Sequence, residues 1–307
     1  MVVIILVVLG LVFGSFVNAL VWRLHEQGVE QRAEGRGKKE HRGKSREQSK
    51  LTSSELSIVK GHSICPHCHH KLMPSDLVPV LSWLWLGGKC RYCHKPISAQ
   101  YPLVELFTAA LFVFSYFFWP GGVAGHQPLA SCLPSSISSL CSHPTVLFGF
   151  WLVFLTGFIA LAVYDIKWFL LPDKIVYSLI GLALVQSVLT IFVFNGGLHM
   201  AEQIALSFVI GGGLFYLLFQ VSSGKWIGGG DVKLGMLLGL VLASPSLSLL
   251  MIFTASVLGT LVTLPLLVAR KITKNTHIPF GPFLIVGTII ARLFGAAIIS
   301  WYTSKIL

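Results

Sequence analysis

Apolar runs of about twenty residues recur along this 307-residue chain, the length an α-helix needs to cross a ~30 Å hydrocarbon core. Inside a bilayer each backbone N–H and C=O must find its partner within the segment, so these runs read as helices. The pattern predicts an all-α polytopic membrane protein with eight spans, roughly 1–22, 103–119, 147–164, 174–194, 201–221, 232–243, 248–269 and 281–303. The sixth is short for a full crossing. Prolines and glycines punctuate the joins, as in Leu171-Pro172-Asp173 and Pro279-Phe280-Gly281-Pro282. Residues 1–22 lack a basic n-region and a small-residue cleavage site, so they read as a first membrane helix and not as a signal peptide. Charged residues make up 11% of the chain, less than half the ~25% usual in soluble domains, which excludes an ordinary globular enzyme.

Lysine and arginine set the expected orientation. Fourteen of the 23 fall between Arg23 and Lys95, and Lys167, Lys174, Lys225, Lys233, Arg270, Lys271 and Lys274 sit at other connections on that same side. The opposite connections, 120–145, 195–200 and 244–246, have none. The loop 23–101 is therefore expected in the cytoplasm, with both termini outside. The net charge of +11 is this topology signal, and it needs no nucleic-acid partner. The chain divides accordingly into a first helix (1–22), a cytoplasmic loop (23–101) and a membrane-embedded domain (102–307). Within the loop, 26–60 is polar and poor in aromatics and predicts a mobile basic linker. Residues 62–101 predict a small metal-binding domain.

Four of the six cysteines carry that expectation: Cys65 and Cys68 in C-P-H-C, Cys90 and Cys93 in C-R-Y-C. Two CxxC pairs about twenty residues apart suit a tetrahedral zinc site, each pair presenting two thiolates from one turn. Iron in a rubredoxin-like site is the alternative, because the ligand set is the same. Disulfides are disfavoured in a reducing compartment. Four thiolates leave no open coordination position, so the ion is expected to be structural. Nearby His67, His69, His70 and His94 read as surface residues. Cys132 and Cys141 lie in the uncharged outer connection, as a disulfide or as two free thiols.

Five of the twelve acids lie in or beside spans, where ionisable groups are costly: Glu105, Asp165, Asp173, Glu202 and Asp231. Glu202 opens the fifth span, where a carboxylate suits the helix dipole. Asp173 follows Pro172 at an N-cap position, on the same side as a candidate site. Glu105, one turn into the second span, either pairs with a basic group or lines a cavity. Arg292, mid-span, requires a partner. Asp165 ends the apolar helix A-L-A-V-Y-D, and Asp231 stands behind Gly228, Gly229 and Gly230 in W-I-G-G-G-D-V-K. Both fall at the same face of the membrane. Two adjoining carboxylates share a proton, so one can activate water while the other protonates a scissile carbonyl. The three glycines allow close approach of a substrate backbone. A secondary transporter would show inverted repeats with acids near the midplane, and neither is visible here. A scaffold protein with lost catalysis would lack one of the two aspartates.

These motifs together resemble the type IV prepilin peptidases, bacterial membrane aspartic proteases of the GxGD type. The resemblance rests on G-S-F-V-N-A-L-V-W-R-L (14–24), the segment from C-P-H-C to I-S-A-Q-Y-P-L-V-E-L (65–106), D-I-K-W-F-L-L-P-D (165–173), G-G-G-D-V-K (228–233) and I-P-F-G-P (278–282). It implies that Asp165 and Asp231 are the catalytic pair. Gly228, Gly229, Gly230, Lys233 and Asp173 are then expected in the loops around them, and the four cysteines become zinc ligands. It further implies removal of a short basic leader from prepilins or pseudopilins at the cytoplasmic face of the bacterial inner membrane. Methylation of the new N-terminus by S-adenosylmethionine is expected to follow. No residues for the methyl donor can be read here beyond Glu105 as a candidate. Segments 26–60 and 120–145 are longer than is usual in the family.

Overall fold

The computed structural model describes residues 1–37, 62–120, 122–123, 144–194, 196–269 and 278–306. Its helices are α1 (Val2–Gly37), the short α2 (Leu81–Trp85), α3 (Gln100–Phe118), α4 (Pro144–Trp168), α5 (Asp173–Val188), α6 (Gly197–Phe208), α7 (Leu214–Ser222), α8 (Gly229–Leu242), α9 (Pro245–Val268) and α10 (Gly281–Ile306). Two compact units form, Met1–Val113 and Phe114–Leu307, with the division inside α3. Among the described residues seven stretches are long and apolar enough to cross a membrane: Val2–Val29, Gln100–Phe118, Pro144–Trp168, Asp173–Val193, Gly197–Ser222, Pro245–Val268 and Gly281–Lys305.

The span expected at 232–243 is present as α8, but its 14 residues reach only about 21 Å at 1.5 Å per residue. It needs no lipid, because Leu234, Leu237, Leu238 and Leu242 are fully buried and α5, α6, α9 and α10 pack around it. The helix is the core of its unit. Two π-helical turns, Leu189–Val193 and Val209–Gly213, continue α5 and join α6 to α7 where straight helices were expected. The second consists of V-I-G-G-G, whose three glycines carry no side chain to resist the wider turn. Ser207, just before it, donates to the Gly239 carbonyl at 2.7 Å and meets Ser248 Oγ at 2.8 Å, pinning α8 to its neighbours.

Helices α9 and α10 run antiparallel over much of their length. Phe280 and Phe283 lie beside Gly259, Gly287 faces the Met251 carbonyl, and Gly295 meets Leu247. Beyond Gly259, α9 continues to Val268 with exposed Leu261, Val262, Leu264, Leu267 and Val268. Arg292 lays its guanidinium 4.7 Å over the ring of Trp119, giving the mid-span cation an aromatic neighbour.

In the other unit, α1 crosses the first half of α3 closely enough that a Cβ on Gly14 would sit 2.6 Å from the Glu105 Cα. Small residues permit such contact between membrane helices. Phe13 and Phe112 pack with ring centres 6.0 Å apart, and Asn18 Nδ2 donates to the Tyr101 carbonyl at 3.1 Å. Helix α1 extends past Trp22 to Gly37, into the stretch read as a linker, because its Glu, Gln, Arg and Ala residues favour helix. The rest of that stretch, 38–61, lies outside the described residues, as do 124–143 with Cys132 and Cys141.

Candidate active site and metal centre

The metal centre is built from two turns of like geometry. In the first, the Cys65 amide donates to the His70 carbonyl (3.0 Å) and the His69 amide to the Cys65 carbonyl (2.9 Å). In the second, Cys90 donates to Lys95 (2.9 Å) and His94 to Cys90 (3.0 Å). His69 and His94 hold matching left-handed conformations, φ 55° and 56°, so each closes its turn. His67, His69, His70 and His94 are all exposed, as the sequence reading expects, and His69 and His94 add this backbone role. Among the described residues, the Sγ atoms of Cys65, Cys68, Cys90 and Cys93 all lie within 4.8 Å of one another, with Cys65 and Cys93 3.9 Å apart. A tetrahedral ion with bonds of about 2.3 Å requires sulfur separations of about 3.8 Å, so the cluster fits zinc. Burial pushes the Cys65 thiol up to about 12, and a cation at the centre supplies the charge that would hold it as thiolate. The cluster stands between the first and second spanning helices.

The carboxylates belong to the other unit. Asp165 is buried in the last turns of α4 (6% exposed). Its carbonyl accepts the amide of Phe169 at 2.8 Å, and Phe169, at φ 54°, ends the helix in the left-handed region. The chain then returns through Leu171 and Pro172 into α5. Asp231 lies in the first turn of α8, whose N-cap is Gly228. Its amide donates to the Gly228 carbonyl at 3.1 Å, and the Gly228 amide in turn hydrogen-bonds the Asp231 carboxylate. The carboxylate thus makes the N3 half of a capping box, while Gly228, without a side chain, returns only its backbone carbonyl. The two acids are close enough that the Asp165 charge acts on Asp231.

Three contacts weld the surrounding loops. A Cβ on Gly230 would lie 3.0 Å from Leu171 Cδ1, so the turn after Asp165 rests on the glycine before Asp231. Lys233 Nζ meets Asp173 Oδ1 at 2.7 Å and stands 5.2 Å over the Tyr177 ring, tying α8 to α5. Asp173 therefore does not cap its helix: Pro172 is the N-cap, and the carboxylate is turned to Lys233. The pair is largely exposed and adds at most about 1 kcal/mol, so it fixes register more than stability. The third contact comes from the start of α10. The Gly281 amide hydrogen-bonds the Asp165 carboxylate, and a Cβ on Gly281 would fall 2.6 Å from Asp165 Oδ2 and 3.4 Å from Leu234 Cδ2. The sequence singled out I-P-F-G-P as a motif but gave Gly281 no place at the carboxylates; the glycine between two prolines was the available signal. Tyr177 and Leu171 carried no such signal. Glu105 lies in the metal-bearing unit, where its carboxylate accepts the Val80 amide at 2.7 Å and bonds Ser15.

Residues 8–119 match the Bacterial Peptidase A24 N-terminal domain, and residues 152–264 match the Type IV leader peptidase family. Three similar proteins each carry the name prepilin leader peptidase/N-methyltransferase. One from Aeromonas hydrophila is 30% identical over 97% of this chain and 92% of its own. One from Bacillus subtilis is 32% identical over 82% and 89%, and one from Pseudomonas aeruginosa 31% over 96% and 91%. No solved structure matches the chain. With both halves matched and relatives of this identity along nearly its full length, the chain belongs to the type IV leader peptidase family.

Proposed function

We propose that this protein is a bifunctional prepilin leader peptidase and N-methyltransferase of the bacterial inner membrane. The observation carrying the peptidase reading is the pairing of Asp165 with Asp231 at the junction of α4, α8 and α10. One carboxylate takes a proton from water as the water oxygen bonds to the scissile carbonyl carbon. The other gives its proton to the carbonyl oxygen, and the amide nitrogen then leaves with a proton as the tetrahedral species collapses. Gly228, Gly229 and Gly230 leave the approach to Asp231 free of side chains, and the Asp173–Lys233 pair holds the two loops in register.

The excess of Lys and Arg in 23–101 supports placing that loop, and the ends of the helices bearing the aspartates, at the cytoplasmic face. Prepilins and pseudopilins are the substrates, with a basic leader followed by an apolar helix. Zinc in the Cys65, Cys68, Cys90 and Cys93 cluster is structural. When bound, S-adenosylmethionine supplies an electrophilic methyl group to the freed α-amine. The residues that hold it are not assigned; Glu105, the candidate offered by the sequence, has its carboxylate engaged by Val80 and Ser15.

The full-length protein in bilayers, given a prepilin and S-adenosylmethionine, is expected to yield a product lighter by the leader and heavier by one methyl group, read by mass. No cleavage of any of several prepilins by folded, metal-loaded protein would overturn the reading. Gly281 is a positioning residue for this reaction. Gly281→Ala drives a methyl into Asp165 and is expected to lower kcat about a hundredfold while KM stays within about threefold. A rise in KM at full kcat would assign Gly281 to substrate binding instead.

A further inference from the structure

We propose that α2 is an interfacial membrane anchor, seating the metal-bearing subdomain in the boundary between headgroups and acyl chains beside α3. Helix α2 places Leu81, Leu84 and Trp85 on one face at i, i+3 and i+4, and these are 57%, 61% and 90% exposed. Met73, Leu77 and Val78 extend the same segment and are exposed as well. The other side of α2 is committed inward, where Trp83 Nε1 donates to the Ile97 carbonyl at 3.1 Å.

What covers the apolar face follows from how deep the segment sits. Val80 donates its amide to Glu105 Oε2 at 2.7 Å, and Glu105 lies five residues into the span that begins at Gln100. At 1.5 Å per residue that is about 7 Å below the end of the helix. Its neighbours Leu103, Leu106 and Phe107 are exposed on a helix that crosses the bilayer, so hydrocarbon meets them at this level. Val80 is held there by a γ-turn in which Leu81 donates to the Pro79 carbonyl at 2.6 Å. Its φ of 61° and ψ of −49° are strained for a β-branched residue. The strained turn and the buried carboxylate together start α2 below the surface where α3 emerges.

Charge agrees with lipid as the occupant. Asp76, the one acid in 62–101, is bridged to Arg91 at 2.8 Å, leaving exposed Lys71, Lys89 and Lys95 for anionic headgroups. A tryptophan at the rim of an apolar face is the side chain suited to that boundary.

The test uses the full-length, metal-loaded protein in phosphatidylcholine–phosphatidylglycerol bilayers. Emission of wild type minus that of Trp85→Phe isolates Trp85 from the other seven tryptophans. Lipids brominated near the top of the acyl chain are expected to remove at least half of the Trp85 emission, and aqueous iodide less than a tenth. Quenching by iodide and not by bromolipid would place Trp85 in water and overturn the proposal. Protection from both quenchers would also overturn it, assigning the face to a protein partner. Metal content equal to wild type shows that Trp85→Phe leaves the subdomain folded.

Discussion

Asn at position 165 or at 231 abolishes leader cleavage, with kcat expected to fall by at least about a thousandfold, while each protein still folds and keeps its metal. The substitution is nearly isosteric, so it separates charge from shape. This matters most at Asp231, whose carboxylate closes a capping arrangement with the Gly228 amide. An asparagine side-chain oxygen accepts that amide as well. If Asp231 serves only to start α8, Asp231→Asn keeps its activity; if it shares a proton with Asp165, the activity goes. Methylation of an already mature pilin by the same variants reports whether the rest of the enzyme is intact. Cleavage by either variant within about tenfold of wild type would remove the two-aspartate mechanism.

Cys65→Ser empties the metal centre. Wild type is expected to carry about one equivalent of zinc by elemental analysis, and the variant less than about a tenth. Zinc binding by four thiolates contributes on the order of 10 kcal/mol or more to folding in small domains, so its loss outweighs the side-chain contacts that remain between the two turns. Among the described residues the extended structure of the 62–99 segment is two isolated bridges, Ile64 with Lys71 and Lys89 with Pro96, and the side-chain contacts across it include the His70–Tyr92 ring pair and the Asp76–Arg91 bridge. Limited proteolysis should therefore cut the variant, or chelator-treated wild type, between the cysteine pairs at least tenfold faster. Iron in place of zinc would select the rubredoxin-like alternative. Absence of either metal in protein purified without chelators would remove the metal reading.

The spans were legible because apolar length is a one-dimensional signal, and hydrocarbon leaves a backbone few choices. What sequence could not supply is which helix lipid surrounds. Apolar residues 232–243 look like a crossing, and only the packing of α5, α6, α9 and α10 shows α8 as a short core helix. The π-helical turn at Val209–Gly213 was hidden for a similar reason: its glycines signal tolerance, not a particular bond pattern. At the site, the cysteine spacing predicts a cluster because each ligand pair is local. Asp165 and Asp231 were linked by a shared membrane face. Gly281 contributes a backbone amide and the lack of a side chain, properties that any glycine has and that only a neighbouring carboxylate makes significant. Asp173 was misjudged as a cap because its partner, Lys233, is sixty residues away.

The unequal lengths of α8 and α9 bear on which peptide bonds this family member can reach. Gly281, which touches Asp165, stands near the level of Gly259, and α9 runs on to Val268, about 13 Å further, with an apolar exposed surface. Asp165 thus stands about 13 Å short of the end of α9, beside an exposed apolar surface. A substrate helix lying alongside α9 at that depth keeps its carbonyls bound within its own ladder, closed to attack. On the two-aspartate mechanism proposed above, only a backbone already unwound where the leader meets the helix offers a carbonyl to the pair. Selection would then turn on how readily a chain frays at that depth, a property of the neighbouring glycine, proline or β-branched residues as much as of the side chains at the cut.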